Sequence, residues 1–163
     1  MATPDAKHLA QTFHINHWVI KQQLDGISHP DSLLQLPFRG NCLNWVVGHI
    51  LTGRCAVLAI LGEPPVMTAE EMALYETGSA PITSTSGAVA LDKLAAALDE
   101  SQQLILSALR NTPQERLEYV LEESEEGQSR VGDEIEGLAW HETYHVGQLE
   151  LLRQLAGKND QVI

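Results

Sequence analysis

The chain is poor in several things, and each scarcity narrows what it can be. It has two cysteines in 163 residues, and both Cys42 and Cys55 fall in one stretch with helical apolar spacing. A helix rises about 20 Å between positions 42 and 55, far beyond disulfide reach. The two therefore read as packed thiols, not as a staple or a redox pair. Basic residues are also few, 10 Lys and Arg against 22 Asp and Glu, for a formal net charge of −12. That sign repels the phosphate backbone a nucleic-acid binder must neutralise, and anionic lipid headgroups as well. No nucleic-acid partner and no membrane partner are expected. No apolar run reaches the roughly 18–20 residues of a bilayer span. The stretch MATPDAKHLAQTF lacks the apolar centre of a signal peptide, so a cytoplasmic protein is expected. Convincing strand alternation is missing too.

What remains is helical. Hydrophobic residues make up 44% of the chain, enough for one domain over 1–163 with a core of its own. The first segment places Leu9, Phe13, His17, Ile20, Leu24 and Ile27 at three- and four-residue steps. Thr3 is its expected N-cap, Pro4 its first helical residue and Pro30 its stop. The second segment, 41–62, carries Cys42, Val46, His49, Gly53, Ala56 and Ile60 on its stripe, with Gly62 closing it. A long link follows, in which Thr68 and Glu71 form a capping box, so that Glu70 and Glu71 begin a short helix. The third segment, 88–110, carries Leu91, Leu94, Leu98, Ile105 and Leu109. Thr112, Pro113 and Glu115 repeat the capping logic for a short helix over 112–120. The acidic run 122–126 reads as an exposed, solvated turn. The last segment, 131–156, bears Ile135, Leu138, His141, His145, Leu149, Leu152 and Ala156, and Gly157 ends it. Four amphipathic helices predict an all-α four-helix bundle, and the long link after the second permits a crossover.

The last helix contains HETYH at 141–145, of the form H-E-x-x-H. Residues four apart lie about 40° apart around a helix, so two imidazoles can grip one ion. His141 and His145 fall on the apolar stripe of that helix, and His49 falls on the stripe of the second. Pointing into one bundle, the three would form a facial ligand set with positions open for water or substrate. Such a neutral set suits zinc, nickel or ferrous iron. Taken singly, each is as readily a packed core histidine, and the triplet requires the second and fourth helices to be neighbours. A peptidase lacks its third ligand here. The residues beyond His145 offer only Glu150, on the same helix, and Asp160, while Leu151 stands where a metzincin would have a histidine.

The stretch PFRGNCLNWVVGHILTGRCAVLAILG, with Asn44, Trp45, Gly48 and His49, resembles the second-helix signature of the DinB/YfiT-like superfamily. HETYHVGQLELLRQLAG resembles its fourth-helix signature, H-x-x-x-H-x-G-Q. The resemblance runs from the first helix to Gly157. It implies an up-down-down-up four-helix bundle with a long crossover between helices 2 and 3. It also implies a divalent metal held by His49, His141 and His145, and frequently a homodimer. Characterised enzymes of this kind are metal-dependent thiol S-transferases, a thiol-dependent isomerase and some hydrolases.

The resulting expectation is a DinB-like metalloprotein that joins a small thiol to an electrophile. The alternatives are a non-catalytic helical dimer acting through protein contacts, and a metal-dependent hydrolase. Glu142, about 60° around the helix from His145, is the candidate proton acceptor or ligand-orienting group, with a salt bridge as its alternative. Gly147 is expected to admit a neighbouring helix, and Gln148 to bond across the bundle. Trp45 and Trp140 read as core or interface aromatics, and Tyr144 as outward-pointing. His17 reads as packed or hydrogen-bonded, with a reach to the pocket as its other possibility. His14 pairs with it one turn away, and His8 and His29 read as surface residues.

Overall fold

The computed structural model describes residues 3–83, 87–124 and 127–161. Its long helices are α1 (Ala6–Leu24), α3 (Leu43–Leu61), α5 (Leu91–Asn111) and α7 (Val131–Leu155). Short helices α2 (His29–Ser32), α4 (Ala69–Ala73) and α6 (Gln114–Leu117) sit in the connections. Two strands, β1 (Val120–Ser124) and β2 (Gly127–Arg130), pair antiparallel just before α7, with an irregularity between Val120 and Glu122. The chain is thus an all-α bundle with a small hairpin attached.

Contacts fix how the four long helices run. Arg130 bonds to Thr3, Asn16 to Thr143 and Arg153 to the Gln23 carbonyl, so α1 and α7 lie side by side in one sense. Asn44 bonds to the Val89 carbonyl and Arg54 to that of Leu98, so α3 and α5 share a sense. Arg54 on α3 meets Glu142 on α7, whereas His49 meets His145, which sets those two helices against each other in direction. Lys21 and His17 both meet Asp99, and α1 packs against α5.

Several local expectations change. Asp5, not Thr3, caps α1 by accepting from the His8 backbone N–H. Asp has the stronger capping oxygen and leaves Pro4 outside the helix. The stop is Leu24, before Gly26 at φ +68°, while Pro30 opens α2 behind a Ser28–Asp31 capping box. The Thr68–Glu71 box at α4 is present. Pro113 rather than Thr112 precedes α6, because the Thr112 hydroxyl donates back to the Ala108 carbonyl. The acidic stretch expected to be a turn carries β1, although Glu125 and Glu126 lie outside the described residues. The stripe of α3 is also broader than expected. Nearly every residue of its first half is buried, yet Ala56 is exposed. By length and composition Leu43–Leu61 could cross a membrane, contrary to expectation, but 72% of that window is buried and it forms the core helix here.

The core divides into two apolar compartments. One contains Ile20, Val47, Ile50, Leu51, Leu98, Val146 and Leu149. The other contains Leu9, Phe13, Val57, Leu58, Ile105, Ile135 and Ala139. Between them every long helix supplies a buried polar side chain: Asn16, Arg54, Ser101, Gln102 and Glu142. Arg54 is 0% exposed and Glu142 3%. The guanidinium meets the carboxylate through two bonds, Nε to Oε2 and NH2 to Oε1, each 2.8 Å. Its NH1 donates to the Leu98 carbonyl and the Ser101 hydroxyl, both at 3.2 Å. Removing one partner would strand a buried charge, at a cost of about 3–5 kcal/mol. Glu142→Gln is therefore expected to lower unfolding free energy in urea by that amount, with Arg54→Met/Glu142→Leu losing much less. A Glu142→Gln variant as stable as the parent would contradict the assignment.

Candidate metal centre

The first turns of α3 are enclosed because the crossover after α4 packs onto them. Tyr75 is fully buried, and its ring lies so close to Gly48 that a Cβ there would come within 2.3 Å of it. The Tyr75 hydroxyl donates to Asn44 Oδ1 and accepts from the Val89 backbone N–H, both at 3.0 Å. Trp45 donates from Nε1 to the Ser79 hydroxyl at 2.9 Å. The Trp45 ring stacks on His49, with centroids 4.6 Å apart and planes 16° apart. His49 Nδ1 lies 2.7 Å from the Tyr75 carbonyl. The N-W-x-x-G-H spacing of α3 is thus the docking surface of the crossover, and the crossover orients His49.

On α7, His141 and His145 stand one turn apart, beside His49. One ligand atom from each of the three lies within 4.8 Å of the others. Their partners decide which nitrogens are free. A carbonyl oxygen can only accept, so His49 carries its proton on Nδ1 and keeps a lone pair on Nε2. His145 Nδ1 lies 2.7 Å from Gln148 Oε1, which assigns it the same tautomer from its hydrogen-bond partner. His145 Nε2 and His141 Nε2 are 3.0 Å apart. Two ring nitrogens that close repel unless a proton or a cation lies between them. Burial holds both of these histidines below their ordinary pKa, with the neighbouring His49 adding to the effect. They are accordingly neutral near pH 7, the form that binds metal. The donor set fits a divalent cation.

The rings open onto a cavity of about 440 Å³. Leu36, Phe38, Val46, Leu151 and Leu152 give it apolar walls, Arg39 contributes a cation, and among the described residues no Asp or Glu lines it.

Other residues fall differently. Glu142 follows His141 in sequence, but both its oxygens are held by Arg54. The salt-bridge alternative is the one the structure shows. Gln148 reaches back to His145 rather than across the bundle. A Cβ on Gly147 would meet nothing within 4 Å, so no helix of the bundle approaches there. The close approach is at Gly48. His17 pairs with Asp99 at 3.1 Å and does not line the cavity. Burial and the Arg54 charge push its pKa down to about 4, with Asp99 opposing them. His14 is exposed, as is His8 near Glu136. His29, expected at the surface, is half-buried and its Nδ1 accepts from the Leu91 N–H at the start of α5. Trp45 is a core aromatic. Trp140 and Tyr144 are exposed and stack on each other.

Sequence reasoning missed Arg54, Tyr75 and Arg39. Arg54 did carry a signal, since a cation inside an apolar helical run demands an inward partner. Tyr75 and Arg39 lie in irregular segments that periodicity does not reach.

Gly48→Ala forces the enclosed Tyr75 ring to move, and overpacking of this kind costs about 1–3 kcal/mol. Gly147→Ala, at an open helical position, is expected to be neutral or mildly stabilising. Thermal unfolding of the two variants checks this, and equal effects would contradict it.

The comparisons agree with this geometry. A family model described as DinB superfamily matches residues 21–149. No curated protein matches the sequence. The fold is similar to the crystal structure of a conserved protein from Enterococcus faecalis, at 14% identity and a TM-score of 0.70, over 95% of this chain and 98% of that one. With residues 21–149 matched, well over half of the chain and signature histidines included, the chain belongs to the DinB superfamily.

Proposed function

We propose that this protein is a divalent-metal-dependent thiol S-transferase acting on a small-molecule electrophile. The observation that carries the reading is the three-histidine group, with one ligand atom from each ring within 4.8 Å of the others, at the edge of an apolar cavity. His49, His141 and His145 would hold zinc, nickel or ferrous iron. A divalent ion there supplies positive charge that favours thiolate over thiol.

The chain's own residues do the rest. The Tyr75 carbonyl and Gln148 hold Nδ1 of His49 and His145, so that each presents its unprotonated nitrogen to the cavity. The apolar walls offer a surface for the electrophile. Among the described residues no carboxylate lines the cavity to repel a thiolate. In the reaction a thiol R–SH and an electrophile R′–X give R–S–R′ and HX. An S–C bond forms, the C–X bond breaks with its electrons leaving on X, and the thiol proton passes to X through solvent. Glu142 acts through Arg54, as a positioning residue. The hydrolase alternative as read from the sequence uses Glu142 as its base, and Arg54 holds both oxygens of that carboxylate.

The test uses cysteine as the thiol and 1-chloro-2,4-dinitrobenzene as the electrophile. Turnover is expected to vanish on chelation and return with zinc, nickel or ferrous iron. Gln148→Leu is expected to weaken metal affinity about 10–100-fold. Metal-loaded protein that leaves the reaction at its uncatalysed rate, or that cleaves esters without thiol, would overturn the reading.

A further inference from the structure

We propose that Arg39 anchors a carboxylate, so that the cavity takes an amphipathic monoanion with an apolar body and one acidic group. The inference rests on the cavity being the substrate site of the function proposed above.

The argument begins with charge. The protein has a formal net charge of −12, yet among the described residues the lining of this cavity contains no Asp or Glu and one Arg. In a chain so rich in carboxylates, a lining without any is a local inversion of sign. Most of the acidic surface lies beyond the lining, and at physiological ionic strength charges are screened over about 8 Å. Inside the cavity the local groups therefore decide the potential. Arg39 supplies a full positive charge there, and a metal on the three histidines would add to it.

The state of Arg39 is the second observation. Buried Arg54 is committed to Glu142, and Arg153 is committed to Asp160. Among the described residues no salt bridge or hydrogen bond engages the Arg39 guanidinium, which sits next to Phe38 on the cavity lining. A guanidinium offers a planar fork of donors that matches a carboxylate in two parallel bonds. A carboxylate matches that fork and carries the single charge that Arg39 balances. The apolar part of the wall prescribes the body of the ligand, while Asn41, Thr77 and Gln148 also line the cavity. Leu36, Phe38, Val46, Leu151 and Leu152 are apolar, and a volume of about 440 Å³ is in the range of small-molecule pockets.

The probes are 4-phenylbutanoate and its neutral analogue 4-phenylbutanamide, titrated calorimetrically into the parent, Arg39→Gln and His49→Ala. Arg39 is exposed, so its replacement does not disturb the core. The parent is expected to bind the acid about tenfold more tightly than the amide, the scale of a charge-assisted pair. In Arg39→Gln most of that preference is lost while amide affinity is unchanged. His49→Ala, which removes the proposed metal site, keeps the Arg39-dependent preference, so failure of the metal reading and failure of this one are separable. Equal binding of acid and amide by the parent would overturn the proposal. So would a preference that survives Arg39→Gln but is lost in His49→Ala, because the carboxylate would then sit on the histidines.

Discussion

Arg54 and Glu142 are two full charges held away from water in the middle of the bundle. The desolvation of each costs several kcal/mol, and only close bidentate geometry with further hydrogen bonds offsets it. All of those bonds are present. The carboxylate takes two, and the Leu98 carbonyl and Ser101 hydroxyl take the remaining NH1 contacts. The consequence is register. A slip of α3 against α7 by one turn, about 5.4 Å, would strand both charges. His49 precedes Arg54 on α3, and His141 and His145 bracket Glu142 on α7, so whatever fixes the ion pair also fixes the three imidazoles. In a peptidase the glutamate of H-E-x-x-H would handle a proton, whereas here both its oxygens are bonded to Arg54 and tie α7 to α3.

The crossover completes what the ion pair begins. Tyr75 packs its ring against Gly48, ties its hydroxyl between Asn44 and Val89, and offers its carbonyl to His49. One residue from an irregular segment therefore joins the start of α3 to the approach of α5 and selects the His49 tautomer. Gln148 does the equivalent for His145 from within α7. Among the described residues, the ring nitrogen contact of His141 is the one with His145 Nε2. His49 and His145 are thus oriented by hydrogen bonds to other residues, and His141 by the neighbouring imidazole.

The four long helices were legible in the sequence because burying one face imposes a spacing of three and four residues. The same spacing put His49, His141 and His145 on inward stripes, and the fold brings them together. What periodicity could not supply was the level of each residue along the bundle. Glu142 sits beside a candidate ligand in sequence and about 60° from another around the helix, close enough to suggest chemistry. Its partner lies 88 positions away on another helix, which no local pattern encodes. The glycines illustrate the same point. Gly147 stands in the histidine signature yet faces open space, while Gly48 is the one pressed by a ring from the crossover. The hairpin before α7 escaped because Glu, Ser, Gly and Gln have low strand preference and do not alternate. The all-round burial of the start of α3 escaped because the covering residues come from a loop.

The central claim is that two helices held in register by an ion pair make one metal site from three histidines. Elemental analysis of untagged protein beside a His49→Ala variant tests it most directly. The account predicts about one divalent ion per chain in the parent and its loss in the variant. A parent that stays metal-free after incubation with zinc, nickel or ferrous iron would contradict it, as would a variant that holds as much metal as the parent.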